Sequence, residues 1–573
     1  MLVVGAWIAG SLAVVGSFLA LAARIRLSRA KHPSLLGHAR LAKRLARLLP
    51  AYAYGEDRFF VSDGAPDTIA SQRRHGFERL SQVLSARAPT TVSQTAQLQT
   101  ALSDLQFTSQ YRVPFPYREL VGRKLRGGAL LRASAGVLVS DLDGGWDYDL
   151  TGSYGVNLFG YDFYKDCIDR GFDRVRSLGP VLGSYHPLIQ ENVERLKEIS
   201  GLDEVSFHMS GTEAIMQAVR LARFHTRRSH LVRFCGAYHG WWDDVQPGIG
   251  NPATVHATYT LKDMSRNTFR VLETRNDIAC VLVNPLQALH PNAGAPSDGT
   301  LVDSSRRAHT DRESYREWLT ELRQVCTKRG IVLIFDEIFV GFRIARGGAQ
   351  EYFGVSADMV TYGKTVGGGL PVGVLCGQSR YMKRFRDDHP SDFCFARGTF
   401  NSHPYVMGAM HEFFRRFDEP EVRTSYEALD EGWNARAATL NARLESEGLP
   451  VRVANLVSIW TVLYHAPSRY NWMFQYYLRA EGLCLSWIGT GRLIFSHNYT
   501  DADFAAVCDR FVAAAHAMRD DGWWWHAREL TDGAIRSQIL RETLASWFQS
   551  VSLRPSHTAS SEAIGSNSSP RAT

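Results

Sequence analysis

Two residues stand where their surroundings invite chemistry, Lys364 and Asp336. Lys364 lies in VTYGKTVGGGLPVG, between Gly363 and Thr365 and just ahead of three consecutive glycines. Gly-Lys-Thr ends the phosphate loop of nucleotide-hydrolysing enzymes. The apolar stretch IVLIFDEI, carrying Asp336 and Glu337, resembles the acidic strand of such a site. Two features exclude that reading. The loop needs a glycine five residues before Gly363, where this chain has Asp358, and the acidic strand precedes the lysine instead of following it. A lysine after a short apolar strand is otherwise either a surface residue in a turn or a Schiff-base nucleophile that holds a carbonyl compound.

The remaining chemistry-bearing residues supply what a carbonyl cofactor with a ring nitrogen and a phosphate requires. VSFHMSGTEAIMQAVRLARF reads as strand, turn and helix, so Ser210, Gly211 and Thr212 offer N–H groups and hydroxyls to an anion at a helix start. Taken alone, that turn is ordinary N-capping. FCGAYHGWWDD follows another strand and supplies Tyr238 as a flat ring cover, with His239 beside it. Asp336 ends the most apolar strand of the chain. A carboxylate there needs a cation, either a protonated ring nitrogen or an arginine. Together these services describe pyridoxal 5'-phosphate bound at Lys364.

The elements that must position these residues alternate in type. EVSFHMS, HLVRFC, IACVLVN, IVLIFD, DMVTYG and VGVLCG are short apolar strands separated by helical segments between Pro187 and Gly377. That alternation predicts an α/β unit with a mostly parallel sheet wrapped by helices. Each candidate residue falls just past a strand's carboxyl end, where open α/β sheets bind ligands. The stretch GVLVSDLDGGWDYDLTGSYGVNLFGY predicts a hairpin, and residues from about Gly398 to Trp525 predict a smaller α+β unit.

With those stretches in hand the chain, from about Tyr111 to Asp521, resembles class III (fold-type I) pyridoxal-phosphate aminotransferases, in the branch that contains glutamate-1-semialdehyde 2,1-aminomutase. SGTEA, GAYHG, IFDEIFVGFR, YGKTVGGGLPVG and RGTFNSHP carry the resemblance, in the family's order. It implies that Lys364 holds the cofactor and moves protons, that Asp336 pairs with the ring nitrogen, that Gly211 and Thr212 bind phosphate and that Tyr238 stacks on the ring. It further implies that Thr399 reaches the phosphate of a neighbouring subunit, hence a homodimer with shared active sites, and that Gln287 approaches the ring hydroxyl. Ser153 and Tyr154 are candidate substrate contacts. One departure is Asn284 before Pro285, where the family usually has glutamate. It puts that glutamate's salt bridge in doubt.

The totals exclude other classes. Net charge is +7 in 573 residues, yet eight cations from Arg24 to Arg47 occur with no acid among them, so the rest is about neutral. That argues against nucleic acid as a main partner. The eight cysteines form no Cys-x-x-Cys pair, so no metal site is expected, and they read as reduced, buried thiols. Met1 to Ala23 is uncharged and apolar, which predicts a transmembrane helix, or else a buried core helix. The basic flank that follows it places the catalytic part in the cytoplasm.

The expected organisation is therefore a membrane anchor over 1–23, a basic amphipathic segment suited to anionic headgroups over 24–50, and an extension of unassigned role over 51–110. The aminotransferase unit follows, with an N-terminal segment over 111–180, a large pyridoxal-phosphate-binding domain over 181–397 and a small domain over 398–525. An extension over 526–573 ends in a Ser-rich tail expected to be disordered. The expected activity is transfer of an amino group from a donor to a keto or aldehyde substrate. The membrane segment suggests a lipid-like or acyl-carrier-bound substrate. A 2,1-aminomutase acting without net amine exchange, and a non-catalytic membrane scaffold, are the alternatives. Retention of both Lys364 and Asp336 speaks against the scaffold.

Overall fold

Seven strands form the sheet on which the rest is hung. The computed structural model describes residues 2–111, 113–289, 308, 310–486 and 491–552; the side chains of 2–11, 111 and 549–552 lie outside that description. In chain order the strands are β1 Leu131–Ala135, β2 Leu138–Asp141, β3 Trp146–Asp149, β4 Glu204–His208, β5 His230–Phe234, β6 Thr258–Leu261 and β7 Ile278–Val283. They continue with β8 Val332–Asp336, β9 Met359–Gly363, β10 Gly373–Gly377, β11 Val451–Leu456, β12 Ile459–Tyr464, β13 Leu483–Cys484 and β14 Arg492–Ile494. The large sheet has the order β4-β10-β9-β8-β7-β5-β6. Only β10 runs against its neighbours, pairing antiparallel with β4 and β9. Every residue of β7 to β10 is buried. Strands covered by helices on both faces are apolar throughout, which is why these four read as unbroken hydrophobic runs.

Two smaller sheets complete the α/β body. The expected hairpin is present as the antiparallel run β1-β2-β3, and β13 joins its edge in parallel through Leu483 beside Tyr148. The C-terminal part carries the antiparallel sheet β11-β12-β14. Its backbone meets the site through Leu150, whose carbonyl accepts from Ile494 N–H at 2.9 Å.

Both extensions fold back onto this body. Arg73, in the helix Asp67–Arg87, makes a fully buried ion pair with Asp63 at 2.7 Å and donates to the Gly522 carbonyl at 3.0 Å. Glu542, in the helix Asp532–Ser552, accepts from Arg469 at 2.8 Å and from Arg58 at 2.7 Å, and also binds the Tyr54 hydroxyl. Breaking the buried Arg73–Asp63 or Arg469–Glu542 pair leaves an uncompensated charge, so these contacts tie parts of 51–110 and 526–552 to the body. The disordered tail expected after Ser550 lies almost wholly outside the described residues.

The N-terminal expectation needs correction. Helix α1 spans Leu2–Ala30, running through the basic residues Arg24, Arg26 and Arg29. Among the described residues no helix is long and apolar enough to cross a membrane, so the transmembrane span expected over Met1–Ala23 is not supported. The far end of α1 is held by the body. Ala30 is fully buried, its carbonyl accepts from Lys262 N–H at 2.9 Å, and Asn267 donates to the Arg29 carbonyl at 3.3 Å. The helix is therefore pinned to β6 and to the helix Arg266–Thr274. Helix α2, Ala39–Leu48, sits nearby with Ala42 buried and Lys43 Nζ donating to the Ala253 carbonyl at 2.7 Å.

Candidate active site

Asp336 is the last residue of β8, and Lys364 follows the last residue of the adjacent parallel strand β9. Because β4, β5, β7, β8 and β9 all point the same way, the residues after each of them reach one edge of the sheet. Glycine packing shows how close these segments lie. A Cβ on Gly240 would sit 2.4 Å from Thr212 Oγ1, one on Gly211 would meet Ile338 at 2.6 Å, and one on Gly373 would strike the Ser210 carbonyl at 2.0 Å. The turn at 210–212, the segment 238–240 and the ends of β8 and β9 therefore enclose one space.

The two charged residues at its floor are held differently. Asp336 is only 4% exposed. Its Oδ2 lies 2.7 Å from His239 Nδ1, and its Oδ1 accepts from Ile338 N–H at 3.2 Å. Burial pulls the His239 imidazole below its usual pKa. In the neutral ring the single hydrogen sits on Nδ1, facing the carboxylate, and Nε2 is buried without a partner. Lys364 adopts a left-handed backbone, φ 54°, a strained conformation that surrounding packing must enforce. Its Nζ stands 4.6 Å from the centre of the Phe339 ring. Burial first, then the positive charges of Arg343 and Arg492, lower its amine to about 8, against the opposing pull of Asp336.

Above this floor the helix Gly211–Thr226 begins with Ser210 as its cap, whose Oγ accepts from Glu213 N–H at 3.3 Å. The N–H groups of its first turn other than that of Glu213 have no partner along the helix, as at any helix start, which suits an anion. Tyr238 is 61% exposed, a large ring uncovered beside a buried carboxylate. Gln287 is buried; its Nε2 donates to the Cys235 carbonyl at 2.8 Å, while its Oε1 has no partner. Asn284 donates from Nδ2 to the Tyr238 carbonyl at 3.0 Å and accepts from Leu286 N–H at 3.1 Å. At that position the chain thus uses a neutral amide to fix the Tyr238 segment, and no ion pair is made there. Thr399 lies on an exposed loop and joins none of these contacts in the single chain.

Ser153 and Tyr154 approach from the other side. Both are left-handed, at φ 43° and 58°, and a Cβ on the adjoining Gly155 would lie 3.2 Å from the Lys364 side chain. A hydrogen-bond chain sustains this turn. Tyr161 donates to Asp149 Oδ2 at 2.8 Å and lies 2.9 Å from Ser153 Oγ, while Asp149 Oδ1 accepts from Thr151 at 2.6 Å.

Two arginines escaped the sequence reading. Arg343 is buried and donates to the carbonyls of Phe495, Asn157 and Gly155 and to Ser458 Oγ at 2.7–3.4 Å. It ties the sheet edge to the strained turn. Arg492 opens β14, and among the described residues no acidic side chain pairs with it; its Nε has no partner and burial lowers it to about 10. The signal for Arg343 was present, since it ends IFVGFR. Arg492, in GTGRLIF, is a lone cation before an apolar run, and only its distance from other charges marks it.

These features fit pyridoxal phosphate. An amine poised towards its neutral form, a carboxylate with a free lone pair, an anion seat, an uncovered ring and two buried orphan acceptors bound one space of suitable chemistry.

The family described as Aminotransferase class-III matches residues 126–515. The chain is 30% identical over 421 residues to the glutamate-1-semialdehyde 2,1-aminomutase of Geotalea daltonii, covering 69% of this chain and 89% of that one. Among solved structures, an omega-transaminase from Sphaerobacter thermophilus superposes with a TM-score of 0.61 at 22% identity, covering 75% of this chain and 98% of the other. A glutamate-1-semialdehyde aminomutase from Pseudomonas aeruginosa PAO1 does so with a TM-score of 0.61 at 17% identity, covering 79% and 99%. At such identities the superpositions speak for the fold alone.

Proposed function

The chain belongs to the class-III aminotransferases, enzymes of pyridoxal phosphate, and we propose that it works as an aminomutase, relocating an amino group within one small carboxylated substrate. The relatives named glutamate-1-semialdehyde 2,1-aminomutase support this reading. The observation that carries the substrate class is Arg492. A partly exposed guanidinium whose Nε is buried without a partner, whose charge reaches the reactive lysine and which no acid among the described residues answers, suits a substrate carboxylate.

Each residue then has a task. Lys364, with its amine lowered to about 8 by burial and by two neighbouring arginines, is a nucleophile at neutral pH and a proton carrier between adjacent carbons. Asp336 keeps a proton on the ring nitrogen, and His239 orients Asp336 through the 2.7 Å contact. When bound, the cofactor supplies an electron sink for the substrate carbanion. Ser210, Gly211 and Thr212 seat its phosphate and Tyr238 covers its ring. Gln287 offers Oε1 to its hydroxyl. Ser153 and Tyr154, held in a strained turn against Lys364, border the substrate.

A second reading, net transamination between an amino donor and a keto substrate, is favoured by Gln287. Aminomutases of this branch usually place a small residue there. A lipid-like or carrier-bound acceptor belongs to this reading. A homodimer with shared sites belongs to both. It is supported by the exposed Thr399 loop and by uncovered aromatic rings on the segments that flank the site, Trp241 at 74% and Phe395 at 73%.

The deciding experiment incubates purified enzyme with glutamate-1-semialdehyde and no added donor or acceptor. The aminomutase reading expects the isomer with its amine moved from carbon 2 to carbon 1. No isomer, together with bleaching of the cofactor only when an amino donor is added, would establish transamination instead.

A further inference from the structure

The N-terminal segment presents an apolar surface that none of the described residues covers. In α1, residues 12–21 are all exposed, including Leu12 at 67%, Val14 at 69% and Phe18 at 70%. A helix that is apolar on all sides is not stable in water unless another apolar medium takes it up. Helix α2 adds a second such face. At helical spacing Leu41, Leu45 and Leu48 share one stripe, and all three are exposed. Its opposite side is spoken for, with Ala42 buried and Lys43 bonded to the Ala253 carbonyl. The leucines therefore point away from the body, and Leu35 and Leu49, on either side of α2, are exposed as well.

The charges say what medium this is. Arg40, Arg44 and Arg47 border the leucine stripe and are exposed. No aspartate or glutamate occurs before Glu56. A second protein copy would bring the same eight cations to the interface and repel. An anionic lipid surface accepts both features at once, with leucines entering the acyl boundary and arginines meeting phosphate headgroups.

We propose that α1 and α2 together dock the enzyme on the face of an anionic bilayer. Helix α1 enters it by its free apolar length and α2 lies in the headgroup layer, with no segment required to cross. The pinned junction at Ala30, through Lys262 and Asn267, makes this docking rigid with respect to the sheet. Its consequence is a fixed orientation of the enzyme at the lipid surface. The proposal is independent of the aminomutase reading, because it uses no residue of the active site.

The test is flotation of the full-length protein, exchanged out of detergent, with two kinds of vesicle. One is phosphatidylcholine alone and the other contains about one third phosphatidylglycerol. Docking expects much tighter binding to the anionic vesicles than to the neutral ones, which only the apolar contacts hold. Replacing Arg40, Arg44 and Arg47 by glutamine should weaken that binding on the order of a hundredfold, three charges acting together. Replacing Leu41, Leu45 and Leu48 by glutamine should weaken it at least as much in the charge-intact protein, with α1 left as the remaining apolar contact. All six side chains are exposed, so retained cofactor absorbance reports an intact fold in each variant. Equal binding to both vesicles, undiminished binding by the leucine variant, or an apolar surface satisfied by a larger oligomer in sedimentation would each overturn it.

Discussion

His239 Nδ1 lies 2.7 Å from Asp336 Oδ2, in a site where both residues are buried. A neutral imidazole can give its only hydrogen to that oxygen, leaving Asp336 Oδ1 and the remaining lone pairs to face the ring nitrogen of the cofactor. The pair converts a costly buried carboxylate into an oriented one.

Asp336→Asn should keep the cofactor and lose most turnover. An amide cannot hold a proton on the ring nitrogen, and loss of such an electrostatic element from a dry site costs on the order of 3 kcal/mol of barrier. His239→Asn should cost less, because it disturbs the orientation of the carboxylate and leaves the carboxylate itself. Single-turnover rates with cofactor absorbance as the loading control will rank the two. Near-normal rates for Asp336→Asn would assign the ring nitrogen to another acid.

Lys364→Met should abolish covalent attachment of the cofactor, seen as loss of the borohydride-fixed peptide, and should stabilise the apoprotein. The sign follows from linkage. The folded amine sits at about 8 and the unfolded one near its ordinary value of 10.5. The unfolded chain therefore binds the extra proton between those limits, and stability rises with pH through that window. The penalty of the lysine is whole below pH 8 and gone above 10.5. The variant should gain roughly 2–3 kcal/mol at neutral pH, and the gain should vanish in strong base. Urea melts of the two apoproteins at several pH values will show it.

Glu337 behaves in the opposite sense. Burial raises it to about 8, although the N–H groups of Ala349 and Gln350 oppose the rise. The folded protein then holds a proton that the unfolded chain releases near 4.5, so this group's contribution is whole at low pH and is lost as pH rises towards 8. Glu337→Gln keeps the acceptor for Ala349, which now stands at 2.6 Å. It should flatten the decline between pH 5 and pH 8 with about 1 kcal/mol of change or less at the acid end. An unchanged pH profile in thermal melts would mean that the carboxyl is ionised in the fold.

Tyr161→Phe should spare the fold and impair the site. The hydroxyl bridges Asp149 and Ser153 at 2.8 and 2.9 Å, at the start of the turn in which Ser153 and Tyr154 are left-handed. Releasing the turn should raise KM by about tenfold, the worth of one or two buried hydrogen bonds. Cofactor absorbance should not change. Equal kinetics would show that packing alone holds the turn.

Arg492→Gln should weaken carboxylated substrates by about 1.5–3 kcal/mol, the value of a charge-assisted hydrogen bond. An analogue without the carboxylate should be affected far less. Comparing kcat/KM for the pair isolates the term, and equal losses on both would remove Arg492 from substrate recognition.

Local chemistry was legible in the sequence because strands buried on both faces announce themselves as apolar runs, and a parallel sheet brings the residues after them to one edge. That is how Lys364, Asp336, the 210–212 turn and the 238–239 pair could be gathered before any coordinates. What the chain order could not reveal was who answers whom across it. Arg343 reaches carbonyls at Asn157 and Phe495, Tyr161 governs Ser153, and Arg492 comes to Lys364 from a separate sheet. Such contacts have no period, since single polar side chains are placed by packing of distant elements. The same limit applies to the first 50 residues. Hydropathy along one dimension predicted a spanning helix, whereas the fold decides that α1 is pinned at Ala30 and that the leucines of α2 face outwards. Likewise the stretches 51–110 and 526–552 carried no message alone, because their meaning is the buried pairing of Arg73 with Asp63 and of Arg469 with Glu542. A buried charge declares its partner only when the tertiary structure has removed water from both.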